Sequence, residues 1–241
     1  MNLPLELKID NNGFFYIKDD YIKKYPERLI NIECNGIPNS YFYELLTSSN
    51  YAIKYNLFPL NKDGLLNMLL NLQKAQRYIK NIDFPIGYYV DNYEIYGEII
   101  RFYKNAPSLY TVTKKQDINE VSKYYYHDED SIHNLFMMLL DILNLIEELF
   151  DNNIFYTDIH TGNFVIHKNH VKLIDFDYQF IHFNSKKSLE MLKIILFNYE
   201  SLVYILNKKF NMGEYSLDNP VNFKDAKIML KQMENNVRKR V

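Results

Sequence analysis

The segment YTDIHTGNFVIHKNHVKLIDFD, residues 156–177, places three polar side chains around a predicted β-hairpin. The stretches FVI and VKL have the apolar or alternating character of short buried strands, and the turn HKNH joins them. Asp158 and Asn163 precede the first strand, whereas Asp175 follows the second. Because the two open ends of a hairpin lie side by side, we expect the three side chains to come close together.

The chemistry of these side chains fits a magnesium site beside a proton acceptor. Mg²⁺ binds hard oxygen ligands, usually one or two carboxylates completed by water and substrate phosphate. Asn163 and Asp175 supply such oxygens, which leaves Asp158 to accept a proton from an attacking hydroxyl. The alternative interpretation is a surface loop whose acidic residues lie beside a hairpin by chance.

These residues resemble the catalytic and metal-binding loops of the protein-kinase-like superfamily. The triplet YTD ending at Asp158 resembles His-Arg-Asp, Asn163 follows at the expected spacing, and DFD from Asp175 resembles Asp-Phe-Gly. The sequences DIHTGN and IDFD are similar to the corresponding motifs of aminoglycoside and choline kinases and related small bacterial-type protein kinases. The resemblance implies a second catalytic residue, His160, where Ser/Thr protein kinases have a Lys that faces the transferred phosphate.

Composition limits the other classes of function. The chain has 241 residues, 47% of them hydrophobic and 24% charged, which is typical of a globular protein with a sizeable core. A net charge of -2 argues against a general nucleic-acid binder. The single cysteine, Cys34, excludes an intrachain disulfide and a cysteine-based zinc site. Without a signal-peptide pattern or a membrane span we expect a cytoplasmic protein, whose oligomeric state the sequence does not indicate.

The first hundred residues predict an antiparallel sheet preceded by an extension over residues 1–28. A hairpin that turns at Asn12-Gly13 is predicted within this extension. The predicted strands that follow cover residues 29–33, 41–46, 51–57, 84–90 and 94–102.

The resemblance assigns nucleotide-binding roles to several residues of this sheet. The loop between the first two strands would cover the phosphates through Gly36 and Ser40, although it contains one glycine rather than three. Lys54, in a segment that resembles Val-Ala-Ile-Lys, would hold the α- and β-phosphates. Backbone groups around Ile100 and Phe102 would pair with the adenine edge.

A predicted helix over residues 62–80 departs from the kinase pattern. In that pattern the helix carries a glutamate that pairs with the strand lysine, but this segment contains no glutamate. Gln73 stands at about the expected place, and its amide can hydrogen-bond Lys54 without neutralising it. The departure is compatible with a variant kinase or with a pseudokinase.

The remaining chain predicts a mainly helical region. A polar linker with a short helix is expected over 104–128, and longer helices over 130–150, 186–209 and 223–237. The resemblance implies an α+β, two-lobed protein-kinase-like fold, with a small antiparallel β-sheet N-lobe (29–103) that has one helix and a reduced, mainly helical C-lobe (104–241). It implies an ATP- and Mg²⁺-dependent transfer of the γ-phosphate to a hydroxyl of a protein or small molecule. The alternative is a pseudokinase that binds nucleotide or a partner without turnover.

Overall fold

The computed structural model describes residues 7–18, 21–30, 40–45, 48–79, 81–114, 129–168, 170–183, 186–210 and 219–238. The predicted phosphate loop is outside the described residues as far as position 39, which includes Gly36. Residues 115–128 of the predicted linker are also outside them. The chain divides into two compact units, Met1–Asn105 and Ala106–Val241.

A seven-stranded sheet forms the frame of the first unit. Its strands in chain order are β1 Lys8–Ile9, β2 Phe15–Lys18, β3 Leu29–Ile30, β4 Ser40–Leu45, β5 Ser48–Asn56, β6 Gly87–Asp91 and β7 Glu94–Arg101. Their order across the sheet is β1-β2-β6-β7-β5-β4-β3. All neighbours are antiparallel except β2 and β6, which are parallel. The sheet is therefore larger than predicted and mixed, because the N-terminal hairpin extends the five predicted strands at their β6 edge.

Two α-helices accompany this sheet in the described residues, the one-turn α1 Tyr21–Lys24 and the longer α2 Lys62–Ala75. The side chain of Asn61 caps α2 by accepting the Gly64 N–H at 2.8 Å. The buried stripe of α2 consists of Leu65, Met68, Leu69 and Leu72. The helix ends at Ala75, five residues earlier than predicted, and the Gln76 side chain that follows donates to the carbonyl of Ile79.

The N-terminal extension is part of the core of the first unit. One buried cluster consists of Leu7, Ile17, Tyr21, Leu45, Ile53, Tyr89 and Ile99. Leu7, Ile17 and Tyr21 come from the extension, and the others come from the five-stranded part of the sheet. These three residues of the extension therefore pack against the sheet.

The second unit combines four helices with two small hairpin-like sheets in its described residues. The helices are α3 Leu109–Lys114, α4 Glu129–Asp151, α5 Ser188–Phe210 and α6 Phe223–Arg238. The strands are β8 Ile154–Tyr156, β9 Phe164–His167, β10 His170–Leu173 and β11 Ile181–Phe183. β9 pairs with β10 and β8 pairs with β11, both antiparallel. The predicted hairpin and the three long predicted helices are confirmed.

A buried carboxylate joins α4 to α6. Glu234 Oε1 lies 2.8 Å from Nδ1 of His133 and 2.7 Å from Arg238, and its Oε2 lies 2.9 Å from Nζ of Lys231. Burial alone would raise the pKa of Glu234, but the hydrogen bonds from His133 and Lys231 outweigh it and hold the pKa below its ordinary value. His133 therefore has a structural role, because it links α4 to α6 through Glu234. Within the described part of the chain, every helix is too short or too polar to cross a membrane.

Candidate active site

The hairpin β9–β10 and the single 3₁₀ turn before it bring the predicted catalytic residues together. The turn covers Thr161–Asn163, and the buried Asn163 amide nitrogen donates to Asp158 Oδ2 and to the Asp158 carbonyl, both at 2.8 Å. The backbone N–H of Ile174 donates to the Asn163 carbonyl at 2.9 Å. Asn163 thus contacts Asp158 directly and is tied by its backbone to the residue that precedes Asp175.

The hydrogen bonds of Asn163 also define how its amide is oriented. The Asp158 carboxylate and carbonyl oxygens only accept hydrogen bonds, so the amide nitrogen faces them. The amide oxygen Oδ1 then points to the opposite side of the group. That oxygen is the atom a magnesium ion would use, because Mg²⁺ prefers oxygen ligands.

Tyr156 is the buried support of this cluster and was not among the residues predicted for the site. Its hydroxyl accepts a third hydrogen bond from the Asn163 amide nitrogen at 2.8 Å, and its ring centroid lies 6.1 Å from that of Phe176. Burial raises the pKa of Tyr156 well above its usual range, and the negative charges of Asp175 and Asp158 raise it further. The phenol stays neutral and adds no charge to the acidic cluster. Its signal in the sequence is its position as the first residue of the catalytic triplet.

His160 lies at the exposed side of the catalytic loop. Its Nδ1 accepts the Gly162 N–H at 3.1 Å, so the neutral ring carries its proton on Nε2. That nitrogen lies 3.5 Å from Asp158 Oδ2, and the side chain is 54% exposed. A Cβ atom on Gly162 would lie 2.9 Å from His160 Cε1, so this position has to be glycine for the ring to keep its place.

Asp175 and Asp177 follow β10 and differ in their contacts. Asp177 Oδ1 accepts the Gln179 N–H at 3.0 Å, which makes Asp177 the cap of the next turn. Asp175 is partly buried and contributes to the electrostatic field at Tyr156. Among the described residues, no three His, Cys, Asp or Glu side chains are grouped to hold a metal ion. A magnesium ion on Asn163 and Asp175 would therefore complete its shell with water and phosphate, as is usual for Mg²⁺ in phosphoryl transfer.

The predicted nucleotide-binding residues of the first unit occupy different environments. Lys54 lies on β5, two residues before its end, and is 7% exposed, and Ile100 is buried on β7. The N–H of Phe102 donates to the Asn50 carbonyl at 2.8 Å, so an adenine ring would meet the carbonyl of Phe102 rather than its N–H.

Ser40 and Gln73 are also placed by the structure. Ser40 begins β4 and is partly buried opposite Asn56. Gln73 is exposed, and its Nε2 lies 4.0 Å from the point where Gly13 would carry a Cβ atom. The Gln73 side chain thus extends toward the N-terminal hairpin, which does not support the prediction that it is the partner of Lys54.

The architecture is α+β and protein-kinase-like: a multi-stranded N-terminal sheet with a helix precedes a mainly helical region, in which the Asp158 and Asn163 pair directly precedes a hairpin. No protein-family model matches the chain. Its sequence is similar to the EKC/KEOPS complex subunit BUD32 of Enterocytozoon bieneusi, with 26% identity over 183 residues, which cover 72% of this chain and 84% of that subunit. The similarity supports placement in the protein-kinase-like superfamily, whereas the relation to aminoglycoside and choline kinases stays a prediction.

Proposed function

We propose that the chain is an ATP- and Mg²⁺-dependent phosphotransferase that moves the γ-phosphate to a hydroxyl group of a protein or small molecule. The observation that carries the proposal is the contact between Asn163 and Asp158. One amide group holds the candidate base by its nitrogen and presents an oxygen to the opposite side. A surface loop with acidic residues placed by chance would not be expected to bury this asparagine and to pair its amide nitrogen with these acceptors.

Each residue has a defined task in this proposal. Asp158 accepts the proton of the acceptor hydroxyl, and the Nε2–H of His160 faces the same carboxylate oxygen. Asn163 and Asp175 provide the oxygen ligands of magnesium, and Lys54 binds the α- and β-phosphates. Bound Mg²⁺ would neutralise phosphate charge, while the protein groups position the reactants.

The similarity to a subunit of the EKC/KEOPS complex supports a further part of the proposal. That relative is a component of a protein complex. We propose that this chain also acts within a cytoplasmic assembly of several proteins. The test is purification of the tagged chain from its own cells, followed by identification of proteins that are retained at a fixed ratio.

The decisive experiment separates binding from turnover. We expect Asp158→Asn to lower the rate of ATP-dependent phosphate transfer or ADP release about 100-fold or more while Mg-ATP still raises the melting temperature. Asp175→Ala should abolish the Mg²⁺-dependent part of that stabilisation. Asp177→Asn is the matched control, because Asp177 caps a turn, and it should keep both properties. Turnover by Asp158→Asn at the wild-type rate would overturn the assignment of the base.

The second candidate is a pseudokinase that binds nucleotide without transferring phosphate. It is favoured by α2, in which the one acidic residue, Asp63, lies in the first turn and Gln73 extends toward the N-terminal hairpin. Stabilisation by Mg-ATP without any turnover that depends on Asp158 would support this candidate over the phosphotransferase.

A further inference from the structure

We infer that Glu98 on β7 is the carboxylate partner of Lys54, so that a pair within the sheet replaces the glutamate expected on α2. The inference concerns the positioning of Lys54. Its consequence for phosphate binding rests on the proposed function, whereas the pairing itself does not.

The register of the sheet places the two side chains together. Lys54 on β5 lies directly opposite Glu98 on the antiparallel strand β7. Directly opposed residues of an antiparallel pair share one face of the sheet, with Cβ atoms about 4.5–5.5 Å apart. Both residues are buried, with only 7% of Lys54 and 2% of Glu98 exposed. An ammonium and a carboxylate at this separation can make a hydrogen-bonded ion pair.

The surroundings offer Lys54 no other carboxylate within this row of the sheet. The neighbour of Lys54 on β4 is Phe42, and the neighbour of Glu98 on β6 is Tyr88. The single acidic residue of α2 is Asp63, which is exposed in the first turn of that helix. A buried charge requires an opposite charge or hydrogen bonds to offset its lost hydration, and Glu98 is placed to provide both.

Because the carboxylate partner lies on a strand and not on α2, a different element positions the Lys54 side chain. A carboxylate on a helix can be withdrawn when the helix moves, whereas Glu98 belongs to a strand that is hydrogen-bonded to the strand of Lys54. Lys54 is therefore held ready for phosphate whenever the sheet is folded. Binding of phosphate by this chain should not depend on a particular position of α2.

A double-mutant cycle on the full-length chain tests the pairing without reference to nucleotide. Glu98→Gln and Lys54→Met should each lower the melting temperature by roughly 10 °C, because each leaves one buried charge without its partner. The double variant should recover most of the loss, which is the signature of direct coupling. Glu94→Gln is the matched control, since Glu94 begins the same strand and is exposed, and it should shift the melting temperature by no more than about 2 °C.

A second measurement shows whether the pair serves phosphate binding. Glu98→Gln should weaken Mg-ATP binding about 10-fold, the loss expected for one charge-assisted contact, and leave adenosine binding unchanged. In the Lys54→Met background the same substitution should cause no further loss. A merely structural role for Glu98 would instead weaken both ligands equally.

The outcomes of these experiments test the Lys54–Glu98 pairing and the proposed phosphotransferase function separately. Additive melting shifts for the two single variants would overturn the pairing. Wild-type protein that binds no Mg-ATP would overturn the proposed function, and the melting cycle would still decide the pairing. If Glu98→Gln does not fold, recovery of folding in the double variant supports the pairing and continued failure to fold overturns it.

Discussion

Replacement of Asn163 by alanine tests the candidate site at its most connected residue. The side chain donates hydrogen bonds at 2.8 Å to the Asp158 carboxylate, to the Asp158 carbonyl and to the Tyr156 hydroxyl. The amide has two N–H groups, so these three acceptors share two hydrogen atoms. Asn163→Ala removes both donors and leaves a buried space beside the charge of Asp158.

The contacts set the size of the expected effect. A hydrogen bond to a carboxylate contributes about 1.5–3 kcal/mol and a neutral one about 0.5–1.5 kcal/mol, so Asn163→Ala should lower the free energy of unfolding by about 2–4 kcal/mol. Asn152 is the matched control, because its amide donates one hydrogen bond at 2.8 Å, to the carbonyl of Glu148. Asn152→Ala should cost only about 1 kcal/mol.

Two assays measure the separate consequences. Urea unfolding of both variants gives the change in stability. Titration of Mg²⁺ at fixed ATP, followed by the melting temperature, gives the metal requirement, and we expect Asn163→Ala to need about 10-fold more Mg²⁺ because one oxygen ligand is lost. The reasoning is refuted if Asn163→Ala is as stable as Asn152→Ala, or if its Mg²⁺ requirement equals that of the wild type.

Three further substitutions test other parts of the structure. Gly162→Ala should displace the His160 ring from Asp158, lowering turnover while the melting temperature changes little, because the ring is exposed; unchanged turnover would exclude a role for His160. Glu234 has a lowered pKa, so its stabilising contribution is present above the ordinary glutamate pKa and is lost as the pH falls through the lowered one. Urea unfolding of wild type and Glu234→Gln should therefore differ at neutral pH and converge as the pH falls through the lowered pKa of Glu234, and parallel pH profiles would contradict this. Gly87→Ala should disrupt the β2–β6 pairing, because its Cβ would lie 1.8 Å from the Phe15 carbonyl oxygen; a wild-type amide-exchange rate in β2 would contradict this.

Local features of the sequence predicted that Asp158 and Asn163 lie close together. Asp158 and Asn163 are five residues apart, and a single turn of 3₁₀ helix brings them into contact. The hairpin after them follows from alternating apolar residues around a polar turn. Spacing and periodicity determine such features, and both are visible in one sequence.

Contacts between distant residues could not be predicted in this way. Glu98 lies in an apolar run, and only the pairing of β5 with β7 places it opposite Lys54. His133 and Glu234 meet because α4 packs against α6, and they are 101 residues apart. The helix position of Gln73 suggested a partner for Lys54, but the side chain extends toward Gly13 because the hairpin lies beside that end of α2. Register and packing, rather than propensity, decide these contacts.

The pairing of β2 with β6 also has a use in the comparison of sequences. Phe15 lies opposite Gly87, and the backbone of β2 approaches so closely that the space of a side chain at residue 87 is already filled. A related chain can carry this hairpin in the same place only if it has glycine at the start of the equivalent strand. A larger residue there, in a relative that also has an N-terminal segment, would indicate that the segment is attached elsewhere. One position in an alignment thus distinguishes two versions of the first unit without a structure of either relative.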